Sequence, residues 1–187
     1  MGYTLRTCFI PVGEGSSSLP EIRKYYADEF GDNIQYHPGT RFAAVGPDSD
    51  SDFEPLDLSK DSEIFGEAIG IQVMTYGDDF FFYDHWISGE QARSLTYDPY
   101  KGWVRVEGKE EDWEKTTFFA PGMPEQDLSW TEQDTHMEEK EKAKRISQLR
   151  HLTEVRHLVQ DFHYPVISGE KLLSDLIRFF NLTWPRL

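Results

Sequence analysis

Three residues with chemically useful side chains lie within the most apolar stretch of the sequence: Asp84, His85 and Arg93. A carboxylate, an imidazole and a guanidinium can move protons or anchor a small ligand. Alternation along an extended strand places Asp84 and His85 on opposite faces, so without a kink they do not act on one atom. A buried charge is costly unless it is paired. The sequence therefore favours a structural cross-strand ion pair between Asp84 and Arg93, with ligand anchoring as the alternative.

Aromatic and basic residues near this group complete a candidate ligand-binding site. Small-molecule pockets are mostly apolar and carry few polar groups. The predicted ligand-binding residues are Asp84, His85, Trp86, Arg93, Trp103 and Arg105. No spacing typical of a nucleophile and its base, and no Gly-x-Ser-x-Gly elbow, accompanies them. The sequence therefore assigns no catalytic residues, and it favours a non-enzymatic protein over an enzyme.

Cofactor and metal motifs are incomplete in this sequence. The glycine-rich segment 13–18 follows a predicted strand, but Ser18 replaces the third glycine of a dinucleotide fingerprint and Glu14 would repel phosphate. Residues 48–52 begin like a calcium loop, but Phe53 stands where the turn requires glycine. The histidines lack the helical spacing of a zinc motif, and a single cysteine excludes a thiolate zinc site. The sequence predicts no cofactor and no metal.

The elements that must position these residues are strands. Between residues 67 and 107, short apolar and aromatic runs alternate with turn residues, which predicts an antiparallel meander. Residues 3–12 alternate in the same way and predict an additional strand. The segment 80–86 is aromatic on both faces, so we expect it to be central and covered on both sides. The predicted fold class is α+β, a twisted and mainly antiparallel sheet, with an N-terminal helix and C-terminal helices covering one face.

A chain of 187 residues is most simply one domain, here 1–187. Residues 46–60 are rich in aspartate and proline and predict an acidic, mobile loop outside the core. Residues 134–182 carry an apolar stripe at helical spacing, so we expect a helical C-terminal part that packs on the sheet.

The charge balance limits the partners. The chain has 19 basic and 34 acidic residues, a formal net charge of −15. A field of that sign repels phosphate backbones and anionic membranes, so we expect neither nucleic-acid nor membrane binding and favour a basic protein partner. No apolar run is long enough to span a bilayer. One cysteine permits no internal disulfide, which is typical of a cytoplasmic protein.

Several short motifs carry a resemblance to a known group. They are Tyr83-Asp84-His85-Trp86, the segment Gly102-Trp103-Val104-Arg105-Val106-Glu107-Gly108, and Trp113-Glu114. The pattern resembles an uncharacterised bacterial family of small α+β proteins, whose C-terminal ends are similar to Phe179-Phe180-Asn181-Leu182 followed by Trp184. The resemblance implies a shared fold and assigns no activity and no role to any residue.

Two function classes follow from these observations. The first is a non-enzymatic protein-interaction module of an immunity or regulatory kind, in which an acidic body attracts a basic partner. The alternative is a small-ligand-binding protein or enzyme with an aromatic-lined pocket near Asp84, His85 and Arg93. Internal pairing of these residues would favour the first class, and a deep pocket with Asp84 or His85 at its floor would favour the second.

Overall fold

The computed structural model describes most of the chain. The described residues are 4–13, 17–31, 33–48, 56–74, 80–98, 102–117, 128–129, 131–133, 135, 137–154 and 169–183. Contacts divide the chain into two compact units, residues 1–110 with 166–187, and residues 111–165. Each unit is described by itself, and a single domain over 1–187 stays a prediction.

The first unit is built on one seven-stranded sheet. Its strands are β1 (Thr4–Pro11), β2 (Ile34–Gln35), β3 (Phe42–Asp48), β4 (Glu67–Met74), β5 (Phe80–Ile87), β6 (Glu90–Asp98) and β7 (Gly102–Gly108). Their order across the sheet is β2-β3-β1-β4-β5-β6-β7, and every neighbouring pair is antiparallel. The α+β class, the meander over 67–107 and the N-terminal strand are confirmed.

Strand β5 lies inside the sheet and is buried on both faces, as its sequence predicted. On one face, Phe82 and Asp84 are 9% and 2% exposed; on the other, Phe81 and Tyr83 are fully buried. Strands β4 and β6 satisfy the two edges of β5. Both odd-numbered and even-numbered positions of β5 carry apolar residues, so both faces of the strand are apolar. Burial of both faces requires a position inside the sheet with a covering layer on each side.

Three short helices cover the face that carries Asp84. They are α1 (Leu19–Tyr25), α2 (Ala27–Phe30) and α3 (Ser59–Phe65). Ser18 is the N-cap residue of α1, and its backbone N–H and hydroxyl both donate to the Glu21 carboxylate at 2.7 Å. The Glu21 carboxylate in this way satisfies the backbone N–H of the N-cap residue, which is one half of a capping box. The core under these helices is a cluster that includes Cys8, Ile10, Ile22, Tyr26, Val45 and Phe65.

The opposite face is covered by the C-terminal helix α6 (Gly169–Phe180). Its buried residues Leu172, Leu173, Leu176 and Phe180 recur at helical spacing. The Phe180 ring contacts the rings of Phe42, Tyr83 and His85. The expectation that helices from both termini share one face is wrong: both faces of the central strands are apolar, and each requires its own cover.

Two predicted boundaries also change. The predicted loop 46–60 is shorter at both ends, because residues 46–48 continue β3 and Ser59 begins α3. Residues 49–55 of that loop lie outside the described residues. In the second unit, α4 spans Asp112–Thr117 and α5 spans Glu139–Glu154. The predicted apolar stripe beyond residue 154 also lies outside the described residues.

Candidate functional site

Asp84 is a buried and internally satisfied carboxylate. Its Oδ1 atom accepts hydrogen bonds from the Ser94 hydroxyl at 2.7 Å and from the Gln91 side-chain amide at 3.1 Å. The backbone N–H of Leu56 is a third donor. Burial raises the pKa of the Asp84 carboxyl, and the hydrogen bonds from Ser94 and Leu56 oppose that shift. Asp84 therefore ties the segment before α3 to the sheet.

A glycine lets this segment lie close to the sheet. Gly70 is paired with Asp84 in the β4–β5 ladder. A Cβ atom at Gly70 would lie 3.0 Å from Leu56 Cδ1 and 3.2 Å from Leu58 Cδ1. Any side chain there would push the segment outward. The space left by the missing side chain at Gly70 and the hydrogen bond from Leu56 to Asp84 together fix the path of residues 56–58.

His85 lies on the other face of β5 and is only 6% exposed. Its Nε2 atom is 3.0 Å from Oε1 of Glu67, whose other oxygen accepts a hydrogen bond from Arg41. The imidazole also meets the Phe180 ring edge-on, with centroids 5.6 Å apart. His85 is thus packed beneath α6 and belongs to an internal polar group.

Arg93 is 3% exposed and is paired with His85 in the β5–β6 ladder. Its guanidinium donates to the backbone carbonyls of Glu107 and Gly108, at 3.1 and 3.0 Å. The predicted ion pair between Asp84 and Arg93 is wrong. The ladder sets Asp84 opposite Ser94, so Asp84 and Arg93 point to opposite faces.

The remaining predicted site residues, Trp86, Arg105 and Trp103, lie at different places in the sheet. Trp86 packs against the helix-covered core, and its indole nitrogen is buried without a hydrogen-bond partner among the described residues. Arg105 is on the Asp84 face, opposite Thr96, with its Nε atom 3.8 Å from Glu107 Oε2. Trp103 pairs with Tyr97 in the ladder, and its side chain lies outside the described part of the structure. The five predicted residues whose side chains are described do not assemble into one site, since they lie on both faces of the sheet.

A cavity of about 340 Å³ lies elsewhere on the Asp84 face, between the sheet and the helices. It is lined by Arg6, Thr7, Cys8, Tyr26, Glu29, Phe30, Val45, Gly46, Leu56, Asp57, Leu58 and Asp61. None of the six predicted site residues is in this lining. We call it the acidic cavity, because its described lining carries three carboxylates, from Glu29, Asp57 and Asp61, and one guanidinium, from Arg6.

The charged groups of the acidic cavity differ in exposure. Glu29 and Asp57 are exposed, whereas Asp61 and Arg6 are half-buried. The Nε atom of Arg6 is buried and has no hydrogen-bond partner among the residues that the structure describes. A buried donor without a partner loses its hydration at a cost of about 1–3 kcal/mol.

Neutral polar groups form the inner part of the cavity. The Tyr26 hydroxyl donates a short hydrogen bond to Asp61, and burial is the main reason that the pKa of Tyr26 is raised. Burial also raises the pKa of the Cys8 thiol, and the nearby Asp61 carboxylate adds to the increase. Cys8 is therefore a protonated thiol, which is a poor nucleophile and a poor metal ligand. The cavity is suited to binding rather than to covalent chemistry at Cys8.

Sequence reasoning identified one part of this cavity. Alternation along the predicted strand 3–12 places Arg6, Cys8 and Ile10 on one face, and the structure confirms it through their respective ladder partners Gln72, Gly70 and Ala43. The carboxylates come from α2, α3 and the segment before α3, and no spacing along the chain links them to Arg6. Their meeting depends on the tertiary fold.

Comparison of the chain with protein-family models, with curated proteins and with solved structures finds no match. The resemblance to a bacterial α+β family therefore stays a prediction. Among the described residues, no cluster of histidine, cysteine, aspartate and glutamate has the arrangement of a metal site. None of the described helices combines the length and the apolar character that crossing a bilayer requires.

Proposed function

We propose that this chain is a non-enzymatic protein-interaction module, of an immunity or regulatory kind, that binds a basic protein. The observation that carries the proposal is the acidic helical layer, defined as residues 19–31 and 56–66 on one face of the sheet. This layer contains six acidic and three basic residues. Five of its carboxylates are exposed: Glu21, Asp28, Glu29, Asp57 and Glu63.

Exposed carboxylates of one sign favour recognition of a basic surface. They raise the rate of encounter with a cationic partner and disfavour anionic ones. The net charge of −15 extends the same preference over long range. Tyr25 adds an anchor: it is 38% exposed and contacts the Phe65 ring edge-on. Aromatic residues surrounded by polar groups are common at the energetic centre of interfaces.

The polar residues at the centre of the sheet support the same proposal. Asp84, His85 and Arg93 are each buried and each make hydrogen bonds within the fold. We assign them a structural role, which leaves the helical layer as the recognition surface. A cytoplasmic location is part of the proposal, since the single cysteine is free and buried.

The test uses two variants of the full chain with equal charge changes. The first replaces Asp28, Glu29, Asp57 and Glu63 by their amides. The second, as control, replaces the exposed Glu132, Glu138, Glu139 and Glu141 of the second unit by glutamine. Wild type and both variants are immobilised and exposed to extract from the organism that makes the protein. Retained proteins are identified, purified and measured again as isolated pairs.

The proposal predicts a basic partner that forms a stoichiometric complex with the wild type and with the control. The association rate should fall steeply as salt is added, because screening removes the attraction between charged surfaces. The variant of the helical layer should retain little partner. A partner that is acidic, or one that both variants lose to the same degree, would contradict the proposal.

A second candidate is a small-ligand-binding protein, and the acidic cavity is the observation that favours it. Its volume of about 340 Å³ is within the range of small-molecule sites. This site would differ from the predicted pocket, since Asp84, His85 and Arg93 do not line the acidic cavity. A metabolite screen read by thermal unfolding tests it, because a ligand that binds the native state raises the unfolding temperature.

A further inference from the structure

We propose that two copies of this chain pair through the outer edge of β7, in an antiparallel register centred on Val106, and so join their sheets into one. This inference goes beyond the proposed function and does not depend on it. It is carried by the length of the β7 edge, the direction of the backbone groups there, and the charges on either side of Val106.

The two edge strands of the sheet differ in how they limit further pairing. At one edge, β2 has only two residues, and a very short edge strand offers little to a neighbouring chain. At the other edge, β7 extends over seven residues, Gly102–Gly108, and contains neither lysine nor proline. No strand of the described part of the chain pairs with its outer side. An edge of this length and composition is a template for a further strand.

The valines of β7 are exposed at this edge. Val104 and Val106 are 51% and 39% exposed, although both are apolar and β-branched. Val106 lies opposite Leu95, which in turn lies opposite Tyr83, so it belongs to an otherwise buried apolar row. Side chains on neighbouring strands stabilise a sheet by packing against each other. A second strand beside β7 would supply the contacts that these valines lack among the described residues.

The hydrogen bonds to β6 show which backbone groups of β7 are open. The N–H of Lys109 donates to the carbonyl of Ala92 at 3.2 Å, in continuation of the β6–β7 ladder. Successive residues of an antiparallel strand direct their backbone groups to opposite sides. Glu107 therefore bonds to β6, as Lys109 does, whereas Val106 directs its N–H and carbonyl groups to the open edge. Two copies of Val106 can then donate to each other.

Charge selects this register over its neighbours. With the two-fold axis at Val106, Arg105 lies opposite the partner's Glu107, in a non-hydrogen-bonded pair where side chains approach most closely. An axis at Arg105 or at Glu107 would place like charges opposite each other. An axis at Val104 would leave Glu107 beyond the partner strand, which begins at Gly102. Only the register centred on Val106 sets both charges of each copy against opposite charges within the strand.

The charges of one copy are already arranged for this contact. The Arg105 Nε atom is 3.8 Å from Glu107 Oε2, and the two side chains are 37% and 61% exposed. Pairing would join two such arrangements into one network of alternating sign, and networks contribute more than isolated exposed pairs. The net charge of −15 on each copy opposes association at long range. At about 0.15 M salt the screening length is about 8 Å, which weakens that repulsion more than it weakens pairs in contact.

The pairing bears on how the surface is presented. A two-fold axis that relates antiparallel strands of one sheet is perpendicular to the sheet, so it keeps each face on its own side. The acidic helical layers of the two copies would therefore lie on the same side of the joined sheet. A contact through one strand edge buries little area, so we expect a dissociation constant on the order of 10 μM.

The test measures self-association of the full chain by sedimentation equilibrium, at about 1–300 μM protein and about 0.15 M salt. Arg105→Glu sets glutamates opposite each other, and Glu107→Arg sets arginines opposite each other. Each variant should weaken the dimer about tenfold or more. The chain with both substitutions should return to within about threefold of the wild type. An equimolar mixture of the two single variants should form a heterodimer, because every glutamate then faces an arginine.

Control variants make the same charge changes in the second unit. Arg150→Glu and Glu138→Arg alter exposed residues there and should change self-association by less than about twofold. Urea unfolding in dilute solution, where the chain is monomeric, checks that each variant is folded. A loss of self-association caused by unfolding would not be rescued by mixing, so the heterodimer separates the two causes.

Amide hydrogen exchange locates the contact within the dimer. The N–H of Val106 points to the open edge, so it should exchange at least about tenfold more slowly in concentrated than in dilute solution. The N–H of Glu107 bonds to β6 in either state, and its exchange should change much less. The comparison of these two neighbouring amides reports on pairing at β7 and on its register.

A wild type that stays monomeric up to about 300 μM would overturn the inference. So would equal weakening by the β7 variants and the controls, failure of the folded single variants to form a heterodimer, or a dimer in which exchange of the Val106 amide is not slowed. These outcomes leave the proposed function standing, because binding of the basic partner is measured with substitutions in the acidic helical layer.

Discussion

The hydroxyl of Ser94 donates a 2.7 Å hydrogen bond to the carboxylate of Asp84 across two central strands. Both residues are almost fully buried, and the same carboxylate accepts the N–H of Leu56. One buried acid therefore joins the middle of the sheet to the segment that forms a wall of the acidic cavity. Asp84, which the sequence marks as a candidate for chemistry, therefore has a structural role in this cavity wall.

Replacing Asp84 by alanine should lower the free energy of unfolding by about 1–3 kcal/mol, because it leaves buried donors without an acceptor. Ser94→Ala should cost about 0.5–1.5 kcal/mol, since it removes one hydrogen bond. The double variant should lose less than the sum of the two, because both residues share one interaction. Urea unfolding of the four proteins measures this coupling. Strict additivity would show that the hydrogen bond contributes nothing.

The pH dependence of stability should show the raised pKa of Asp84. In the unfolded chain the carboxyl ionises near its ordinary value of 3.8, whereas the buried carboxyl ionises only at higher pH. Between these values the native state binds more protons, so stability falls as pH rises. The stability of wild type relative to Asp84→Asn should therefore decrease as pH is raised from below 3.8 and then level off above the native pKa. Chemical denaturation across that range measures the difference.

Asp57 provides a control of opposite sign. Hydrogen bonds from Ser59 lower the pKa of the Asp57 carboxyl. Its stabilisation is therefore present above the unfolded pKa and is lost as pH falls. The stability of wild type relative to Asp57→Asn should rise as pH increases towards 3.8 and then level off, whereas the Asp84 difference falls as pH increases above 3.8. Parallel trends for the two variants would contradict both assignments.

Substitutions of two neighbouring phenylalanines of α6 test whether this helix packs on the sheet face opposite Asp84. Phe180 is 8% exposed and contacts Phe42, Tyr83 and His85, whereas Phe179 is 48% exposed. Phe180→Ala should lower the free energy of unfolding by about 3–5 kcal/mol through lost contacts and the cavity left behind. Phe179→Ala should change it by about 0.5 kcal/mol, as surface substitutions do. Similar losses would mean that α6 does not pack as described.

The single cysteine reports on opening of the fold. Cys8 is buried, and its raised thiol pKa keeps it protonated near neutral pH. Its reaction with a chromogenic disulfide reagent in native conditions should be slower by a factor on the order of 10³ or more than in denaturant, because it must wait for the chain to open. A native rate close to that of the unfolded chain would place the thiol at the surface.

Much of the fold is readable from local patterns. The alternation 80–86 predicted a strand covered on both faces, and an N-terminal helix was also predicted; both are confirmed. These features depend on residues a few positions apart. A local pattern of this kind is enforced by backbone periodicity and capping, whatever the rest of the chain does.

The candidate site depends on register and on distant contacts. Asp84 and Arg93 are separated by a hairpin, and a shift of one residue in its pairing decides whether they share a face. The irregularity between His85 and Trp86 adds to that uncertainty at the sequence level. The acidic cavity joins residues from β1, α2 and α3, so neither composition nor spacing reveals it.

The most direct test of the account measures the dissociation constant of the purified basic partner for the two charge-matched variants. One lacks the carboxylates of Asp28, Glu29, Asp57 and Glu63, and the other lacks those of Glu132, Glu138, Glu139 and Glu141. The account predicts that the first variant binds the partner at least tenfold more weakly than wild type, whereas the second stays within about twofold. Equal weakening by both variants would contradict recognition through the acidic helical layer.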